Sequence, residues 1–490
     1  MSWSVLIANR GEIAVRIVRA CREIGVRAVA VYAPVDRRAR HVLLADEAHA
    51  LPGDPPARSY LNIPALLEIA RHAGVDAVHP GYGFLAENST FATACQEAGF
   101  TFIGPPPSVL AQCGDKARTR KRLASAGIPV LPGTGPVTNA GARAAAERTG
   151  FPLLIKAAGG GGGKGIHLVH SSGELSSALP LARGEARTAF GDDRVYLERW
   201  LAGARHIEVQ VLADSRGQVV ALGERDCSVQ RRHQKLIEES PAPDLPPVMR
   251  RKLLQAAEDG ARALGYVNAG TVEFLVEGDG YYFLEVNARL QVEHPVTELV
   301  TGVDLVVRQF RIARGEALDV TPPVPARGHA IECRISAEDP HDGFLPSTGT
   351  IHGVAEPAGP GIRVDSAIYP GMEVTRHYDP LLAKIVAWGA TREAAIARMK
   401  RALAETAVGG IVTTVPFHRW ALDDPMFVAG GHDAQFARRW EERGPGKDLL
   451  RAVLAAAAYA HEDAQQIRLP SDGSNRRWQR AAREEQFREL

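Results

Sequence analysis

The fold of the central part of the chain is decided by a segment that reads Gly270-Thr-Val-Glu273-Phe-Leu-Val-Glu-Gly278-Asp279-Gly280-Tyr-Tyr-Phe-Leu-Glu285-Val-Asn287. Two runs rich in β-branched and aromatic residues flank Gly-Asp-Gly, and this pattern predicts a β-hairpin. With the turn centred on Asp279, Glu273 and Glu285 lie directly opposite each other. Opposed carboxylates repel unless a cation lies between them, and Mg²⁺ prefers oxygen ligands. The hairpin therefore predicts a site for a divalent cation.

Downstream of the hairpin, polar and apolar residues alternate with a period of two. A strand would place Glu285, Asn287, Arg289, Gln291 and Glu293 on one face and the apolar residues between them on a buried face. A solvated strand face gives the same alternation, but such faces rarely also oppose two carboxylates. We therefore predict that one strand carries the metal ligands and also Arg289 and Glu293, which could contact the same small anion.

Length and composition limit the class of protein. A chain of 490 residues is too long for one core and predicts about three domains. The formal net charge is +1, so no overall field attracts nucleic acid or a membrane surface. Five widely spaced cysteines without a C-x-x-C pair indicate reduced thiols. Without a signal peptide or a run of roughly 20 apolar residues, we expect a cytoplasmic protein that binds neither nucleic acid nor a membrane.

The pattern of elements changes along the chain and indicates a mixture of α/β and α+β organisation. Strands and helices alternate over residues 1–113, which predicts a Rossmann-like parallel sheet. Antiparallel hairpins follow over 114–320, and then a proline-rich linker. Short strands and a helix at 392–404 predict a mainly antiparallel domain over 327–442. The tail at 445–490, with an Ala-rich helix and a charged end, is either a partner-docking extension or partly disordered.

A strand that ends at Lys156 precedes five consecutive glycines, Gly159 to Gly163, and then Lys164-Gly165. Glycine loops after strands let backbone N–H groups approach phosphates closely. The segment is not a P-loop, because Gly165 replaces the Ser or Thr that would hold Mg²⁺. A flexible turn is the alternative, but so many glycines carry a large entropic cost. We therefore predict a loop that covers phosphates.

Weaker signals come from single residues and from one basic run. Lys116 begins a helix, His206 lies in an alternating strand, and Glu198 follows a strand at 194–197 where it could contact adenine or ribose. The segment 224–235 concentrates cations. Such a run commonly forms a solvated basic loop. Beside phosphate chemistry, we prefer to interpret it as an anion-binding segment.

In combination these motifs resemble the ATP-grasp superfamily and, within it, the biotin carboxylases of biotin-dependent carboxylases. The same resemblance is carried by Asn9-Arg-Gly-Glu-Ile-Ala, His79-Pro-Gly-Tyr-Gly-Phe-Leu-Ala-Glu-Asn88, Arg225-Asp-Cys-Ser-Val-Gln-Arg-Arg-His-Gln-Lys235, Arg289-Leu-Gln-Val-Glu293-His-Pro-Val-Thr-Glu and Glu332-Cys-Arg-Ile-Ser-Ala-Glu-Asp339. It covers roughly residues 3–440. It implies an N-terminal biotin carboxylase domain at 1–113, an ATP-grasp domain at 114–320 with a mobile lid at about 130–205, and a C-terminal biotin carboxylase domain at 327–442.

The resemblance also implies a reaction and its residues. ATP and bicarbonate form carboxyphosphate, and biotin is then carboxylated at a ring nitrogen. Glu293 matches the base that deprotonates bicarbonate, and Arg289 matches the residue that stabilises the biotin enolate. Glu273, Glu285 and Asn287 would hold Mg²⁺ or Mn²⁺, with two ions expected. Lys235, Arg289, Gln291, Val292 and Arg334 would hold bicarbonate and biotin, with Lys235 and Arg334 also counted as catalytic. The remaining matches form the ATP site: Lys116, Lys156, Gly162, Gly163, Glu198, Leu201, His206, His233, Glu273 and Glu285.

The chain lacks two parts of a complete biotin-dependent carboxylase. The only Met-Lys pair, Met399-Lys400, lies in a helical pattern and not in a biotin-accepting hairpin, and no carboxyltransferase domain fits in the remaining residues. We therefore expect biotin to arrive on a biotin carboxyl carrier protein, with separate carboxyltransferase subunits and a homodimeric chain. An acyl-CoA carboxylase using acetyl-CoA or propionyl-CoA is the expected context. The alternatives are one component of a two-subunit pyruvate carboxylase, a different ATP-grasp ligase or an inactive ATP-binding protein.

Overall fold

The computed structural model describes residues 3–158 and 166–443. The first part is a parallel sheet with order β3-β2-β1-β4-β5, and each pair of neighbouring strands is parallel. The central strands β1 and β2 are short apolar runs that are largely buried, as in other parallel sheets. This arrangement confirms the predicted Rossmann-like sheet. Its elements are β1 (Ser4–Ile7), α1 (Gly11–Glu23), β2 (Arg27–Tyr32), α2 (Arg40–Leu44), β3 (Glu47–Ala50), α3 (Ile63–His72), β4 (Ala77–His79), α4 (Ser89–Glu97), β5 (Thr101–Phe102) and α5 (Pro107–Gly114).

A separate antiparallel sheet of order β7-β6-β8 lies within the predicted lid, together with two helices. It has its own apolar core, in which Leu153, Ile155 and Leu197 are fully buried. Gly162 and Gly163 of the glycine run lie outside the described residues, and lid motion stays a prediction. The elements here are α6 (Lys116–Ser125), α7 (Ala142–Thr149), β6 (Leu153–Ala157), β7 (Ile166–Val169), α8 (Ser172–Phe190) and β8 (Val195–Arg199).

An eight-stranded sheet forms the centre of the molecule, with order β13-β12-β9-β10-β11-β14-β21-β19. All its neighbouring strands are antiparallel. The last three strands in this order come from the predicted C-terminal domain, so one sheet continues across the linker. The central elements are β9 (Arg205–Ala213), β10 (Val219–Arg231), β11 (Gln234–Ser240), α9 (Pro247–Leu264), β12 (Asn268–Glu277), β13 (Gly280–Asn287), α10 (His294–Thr301) and α11 (Leu305–Ala313).

The C-terminal part is mainly antiparallel, as predicted. Two of its short strands, Gly349–Thr350 and Gly353–Ala355, follow each other closely but pair with different partners. Met399-Lys400 lies in a helix, as expected for a pair that is not a biotin attachment site. The elements are β14 (His329–Ser336), β15 (Glu338–Asp339), β16 (Leu345–Pro346), β17 (Gly349–Thr350), β18 (Gly353–Ala355), β19 (Ile362–Ser366), β20 (Glu373–Val374), β21 (Leu381–Gly389), α12 (Arg392–Glu405), β22 (Ala407–Gly409), α13 (Val415–Asp423), α14 (Pro425–Val428) and α15 (Arg438–Glu442).

Described residues up to Trp440 belong to one compact unit. The predicted tail at 445–490 lies outside the described residues. Within 3–158 and 166–443, no helix combines the length and the apolar character needed to cross a membrane. All five cysteines are unpaired, in agreement with reduced thiols.

The β12–β13 hairpin has the predicted pairing at the carboxylates, but for a reason the sequence did not show. Its turn is one position shorter than predicted, because Glu277 pairs with Gly280. That register alone would shift the two carboxylates apart. An irregularity between Phe274 and Glu273 restores the alignment, so that Glu273 pairs with Glu285. A β-bulge of this kind inserts one extra residue into one strand, and bulges are common beside active sites.

Candidate active site

Four charged residues lie side by side across β10, β9, β12 and β13. The strand register pairs Arg225 with Glu208, Glu208 with Glu273, and Glu273 with Glu285. Residues paired in this way have Cβ atoms about 4.5–5.5 Å apart, and like charges at that distance destabilise the sheet. Three adjacent carboxylates therefore require positive groups close by. Arg225, which is fully buried, supplies one of them through a 2.5 Å hydrogen bond from its Nε to Glu208.

Glu273 is the best-connected carboxylate of this row. It accepts hydrogen bonds from Lys235 Nζ at 2.9 Å and from Asn287 Nδ2 at 2.7 Å. Gln291 Nε2 donates to it at 3.3 Å, and His206 Nε2 lies 3.0 Å from its second oxygen. Burial alone raises the pKa of Glu273, but Lys235 and His206 outweigh burial and hold that pKa well below its ordinary value. Glu273 is therefore ionised at neutral pH.

Two lysines hold the other carboxylates predicted for the nucleotide site. Lys116, at the start of α6, donates to Glu285 at 2.5 Å. Lys156, on β6, donates to Glu198. The sequence placed Glu198 just after a strand, whereas it lies inside β8 and is buried. The β6–β8 pairing therefore brings Lys156 and Glu198 together.

Glu293 lies between two cations. Lys235 Nζ donates to one of its oxygens at 2.7 Å, and Arg334 Nη2 donates to the other at 2.9 Å. Burial alone raises the pKa of Glu293, but Lys235 and Arg334 hold that pKa well below its ordinary value. Lys235 also contacts Glu208 and Glu273, so its three N–H groups bind three carboxylates. Lys235 is the centre of the site.

Arg289 is held by four hydrogen bonds that use three of its nitrogens. Its Nε donates to Glu87 at 3.0 Å, and its Nη2 donates to Asn287 at 3.1 Å. Its Nη1 donates to Gln291 at 2.9 Å and to the Leu290 carbonyl at 3.2 Å. A guanidinium has five N–H groups, so most of its donors are already engaged. The side chain is therefore oriented before any substrate is bound.

The backbone at 289–293 differs from the sequence prediction. β13 ends at Asn287, and the residues from Ala288 to Glu293 form an irregular segment that leads into α10. Arg289 and Glu293 are therefore not on one strand face. Gln291 links Arg289 to Glu273, and a shared anion between Arg289 and Glu293 stays a prediction. The carbonyl of Val292 accepts a hydrogen bond from buried Lys384 at 2.8 Å, which fixes this segment to the sheet.

The basic run at 224–235 is not a solvated loop. It forms most of β10 and the start of β11, with a tip at Arg232 and His233, where both residues have positive φ. Burial and nearby Lys156 lower the pKa of His233, so the His233 ring is neutral beside Lys156 and Lys116. For Leu201, the structure shows a half-buried position in the segment between β8 and β9.

The arrangement fits a divalent cation. Glu273, Glu285 and Asn287 present oxygen atoms, which Mg²⁺ and Mn²⁺ accept. Side-chain ligand atoms of His206, Glu208 and Glu273 also lie within 4.8 Å of one another. In the protein alone, the carboxylates are neutralised by Lys116, Lys235 and His206, which shows that this row needs positive charge.

Sequence reasoning missed three residues of this site. Glu208 and Arg225 are both fully buried and belong to the charged row. The alternation His206-x-Glu208-x-Gln210 on β9 could have revealed Glu208, since it repeats the pattern used for β13. Glu87 lies in the quoted motif at 79–88, but it is 201 positions before Ala288, from whose N–H it accepts a hydrogen bond at 2.9 Å, so spacing along the chain did not indicate this contact.

Comparison with known proteins agrees with this geometry. Three family models match successive parts of the chain: the biotin carboxylase N-terminal domain at residues 1–110, the ATP-binding domain of the carbamoyl-phosphate synthase L chain at 115–321, and the biotin carboxylase C-terminal domain at 332–439. The biotin carboxylase of Haemophilus influenzae is 48% identical over 443 residues, which are 90% of this chain and 99% of that protein.

Two further relatives belong to carboxylases with other substrates. A pyruvate carboxylase subunit of Methanothermobacter thermautotrophicus is 46% identical over 92% of this chain and 93% of its own length. The biotin carboxylase domain dimer of the Hydrogenobacter thermophilus 2-oxoglutarate carboxylase, solved with MgADP, ADP and bicarbonate, has a TM-score of 0.87 at 44% identity. That match covers 90% of this chain and 98% of that domain. With its ATP-binding domain and its charged site, the chain belongs to the biotin carboxylases, which are ATP-dependent carboxylating ligases of the ATP-grasp superfamily.

Proposed function

We propose that this chain carboxylates biotin on a biotin carboxyl carrier protein, using ATP and bicarbonate and forming carboxyphosphate. The observation that carries the proposal is the position of Glu293 between Lys235 and Arg334. A buried carboxylate with a cation on each oxygen suits a site that receives a small anion and removes its proton. Carboxyphosphate then forms when the deprotonated oxygen attacks the γ-phosphorus and the bond from that phosphorus to ADP breaks.

Glu293 must become a stronger base when bicarbonate binds. Its low pKa in the free protein makes it a weak proton acceptor. Bicarbonate is itself an anion and would draw hydrogen bonds from Lys235 and Arg334. Once those cations are shared, the pKa of Glu293 rises toward its ordinary value, and the carboxylate can accept the proton. Substrate binding thereby activates its own base.

We assign the nucleotide to the side of Glu273 that faces away from Glu293. Lys116, Lys156 and the neutral His233 would contact the phosphates, with Glu198 and Leu201 at the adenosine end. Glu273, Glu285 and Asn287 would hold one or two Mg²⁺ or Mn²⁺ ions, which neutralise phosphate charge when bound. Gly162 and Gly163 remain assigned to covering the phosphates.

Biotin is assigned to the side of Arg289. Carboxyphosphate releases phosphate as its C–O bond breaks, and this phosphate takes the proton of the ring nitrogen, which places negative charge on the ureido oxygen before the nitrogen attacks the carboxyl carbon. Arg289, oriented in advance by Glu87 and Asn287, would stabilise that charge. Arg334, Gln291 and Val292 would complete the contacts to biotin and bicarbonate.

The wider context is also proposed. We assign the chain to a cytoplasmic acyl-CoA carboxylase that uses acetyl-CoA or propionyl-CoA, acting as a homodimer with separate carrier and carboxyltransferase proteins. The names of relatives include pyruvate and 2-oxoglutarate carboxylases, which define the alternatives. Purifying the chain from its source with its biotinylated partner, and assaying carboxylation of each acceptor, separates these contexts.

The central test is ATP cleavage by the purified chain, measured with bicarbonate and with increasing free biotin. We expect biotin to stimulate ADP formation. We expect Glu293→Gln to lower bicarbonate-dependent ADP formation on the order of a hundredfold or more, because the amide cannot accept the proton. Binding of MgADP to this variant should be retained. Absence of biotin stimulation would favour a different ATP-grasp ligase, and unchanged turnover in the variant would refute Glu293 as the base.

A further inference from the structure

A buried charge cluster lies outside the site described above. His432, which is 1% exposed, follows α14 in the C-terminal part of the chain. Its Nε2 lies 3.6 Å from Asp226 on β10 and 3.5 Å from Glu239 on β11. Its ring stacks on Phe427 at a centroid distance of 4.9 Å and an interplanar angle of 23°. The catalytic chemistry proposed above does not use this cluster.

Both carboxylates beside His432 are also bound by arginines. Arg205 donates to Asp226 from Nε at 3.0 Å and from Nη2 at 2.6 Å. Arg392 donates to Glu239 at 2.7 and 2.9 Å, and His329 contacts the same carboxylate at 2.5 Å. His432 lies between these two pairs and contacts one oxygen of each acid. It therefore lies against both strands where Asp226 of β10 is paired with Glu239 of β11, and it adds a side-chain connection to that pair.

Hydrogen bonds connect this cluster to Glu273 in the row of charged residues across β10, β9, β12 and β13. Asp226 Oδ1 accepts from the backbone N–H of Ser228 at 2.8 Å. The Ser228 hydroxyl accepts from the backbone N–H of His206 at 2.9 Å. The His206 ring lies 3.0 Å from Glu273. Only Asp226, Ser228 and His206 thus separate His432 from Glu273.

A second connection reaches the segment assigned to adenosine. The backbone N–H of Ala434, two residues after His432, donates to the carbonyl of Ala204 at 3.2 Å. Ala204 is the last residue of the segment that joins β8 to β9. This segment contains Leu201, and β8 contains Glu198. Fixing His432 therefore also fixes the chain that packs against this segment.

We propose that His432 is a positioning residue for nucleotide binding, which acts through Asp226 and Ser228 on His206 and through Ala434 on the segment at 201–204. The inference rests on the proposed assignment of His206, Leu201 and Glu198 to the ATP site. His432 does not contact the nucleotide. It holds His206 and the segment at 201–204 in the positions that bind the nucleotide.

The proposal predicts a dependence on pH. Burial lowers the pKa of His432, but Asp226 and Glu239 outweigh burial and raise it above 6.5, while Arg205 opposes them. Arg392 and His329 also contact the Glu239 carboxylate. The protonated ring stabilises this arrangement fully below pH 6.5, and the stabilisation is lost as pH rises through the raised pKa. Nucleotide affinity should therefore weaken toward alkaline pH.

The test is MgADP binding by the full chain, measured by calorimetry from about pH 6 to 9.5. His432→Phe keeps an aromatic ring against Phe427 and removes the charge, whereas His432→Gln keeps a hydrogen-bond donor. His72→Gln, on the exposed end of α3, is the matched control. At pH 7 we expect His432→Phe to raise the Kd on the order of tenfold, equivalent to about 1.4 kcal/mol, with a smaller change for His432→Gln.

The pH series supplies the second criterion. The difference between wild type and His432→Phe should shrink toward the alkaline end, while His72→Gln follows wild type throughout. Kd values within about twofold of wild type for both His432 variants would overturn the proposal, even if thermal stability falls. If neither variant folds, a wild-type Kd that stays constant across the series overturns it. Because MgADP binding needs no biotin, failure of the carboxylation proposal would be recognised separately.

Discussion

Arg289 receives its orientation from two distant parts of the chain. Asn287 and Gln291 bind it from its own segment, and Glu87 binds it from the end of the loop that precedes α4. Glu87 uses its second oxygen for the N–H of Ala288, so it fixes both the side chain and the backbone of this segment. The ion pair is partly exposed, with 43% of the Glu87 side chain accessible, so its contribution to stability is small. Its value lies in orientation.

Replacing Glu87 by Gln should therefore affect catalysis and not folding. The amide nitrogen cannot accept a hydrogen bond, so Arg289 loses its ion pair. We expect kcat/KM for biotin and bicarbonate to fall on the order of tenfold to a hundredfold, with the KM for ATP unchanged. Glu97→Gln, on the exposed end of α4, is the matched control. Equal losses for ATP and biotin would contradict this role.

At the scale of elements, β11 and β14 place Glu238 opposite Glu332, and both side chains are fully buried. Glu238 accepts a hydrogen bond from Arg334 at 2.5 Å. Within the described residues, neither side-chain oxygen of Glu332 has a hydrogen-bond partner. Burial raises the pKa of Glu332 well above its ordinary value, although Lys384 and Arg334 oppose the shift and Glu238 adds to it. The uncharged form of the Glu332 carboxyl is therefore favoured at this position of β14.

This strand pair predicts a pH effect on stability. The neutral carboxyl of Glu332 stabilises the fold fully below its unfolded pKa near 4.5, and the stabilisation is lost as pH rises through the raised pKa of the folded state. In Glu332→Gln no proton is released. We expect the variant to unfold within a few degrees of wild type at about pH 5 and to lose less stability than wild type as the pH rises from about 5 to 8. Glu373→Gln, on exposed β20, should behave as wild type, and parallel curves for Glu332→Gln would contradict the prediction.

The sequence predicted the elements that depend on neighbouring residues, but not those that depend on residues distant along the chain. The strand pattern predicted the parallel sheet, the hairpin and the opposition of Glu273 and Glu285, because these follow from local periodicity. The bulge that produces this opposition was not predictable, since the alternation of residues along β12 and β13 does not mark a break in their register. The strand was extended wrongly to 289–293, because an irregular segment that alternates polar and apolar residues has the same sequence signature. Arg225 and Glu87 were missed because their partners are distant in sequence, whereas the alternation on β9 marks Glu208 and was overlooked.

At the scale of the whole molecule, Lys384 joins three parts of the chain. Its ammonium group is fully buried and lies 3.1 Å from Glu12 of α1 and 3.8 Å from Asp365 of β19. It also donates to the carbonyl of Val292 in the irregular segment at 288–293. Glu12 belongs to the N-terminal sheet unit and Asp365 to the C-terminal strands. One ammonium group thus connects both ends of the described chain to the site.

Replacing Lys384 by Met should destabilise the whole unit. The methionine preserves most of the volume but leaves Glu12 and Asp365 buried without their shared cation. Removing one partner of a buried ion pair typically lowers the free energy of unfolding by about 3–5 kcal/mol. Lys400→Met is the control, because Lys400 forms an exposed pair with Asp423, and exposed pairs contribute about 0–1 kcal/mol. Urea unfolding of both variants measures the difference, and equal midpoints would contradict this account.

The eight-stranded sheet has a consequence for exchanging parts between related proteins. β11 and β14 pair along Ile237–Cys333 and Ser240–Ala330, although the linker at 321–325 separates them in sequence. A chimaera joined in that linker must rebuild this strand pair from two parents, and a fragment ending there would leave β11 as an uncovered edge open to aggregation. The domains predicted at 114–320 and 327–442 therefore cannot be exchanged independently of each other. A graft that respects the sheet would carry β11, β14, β21 and β19 together from one parent.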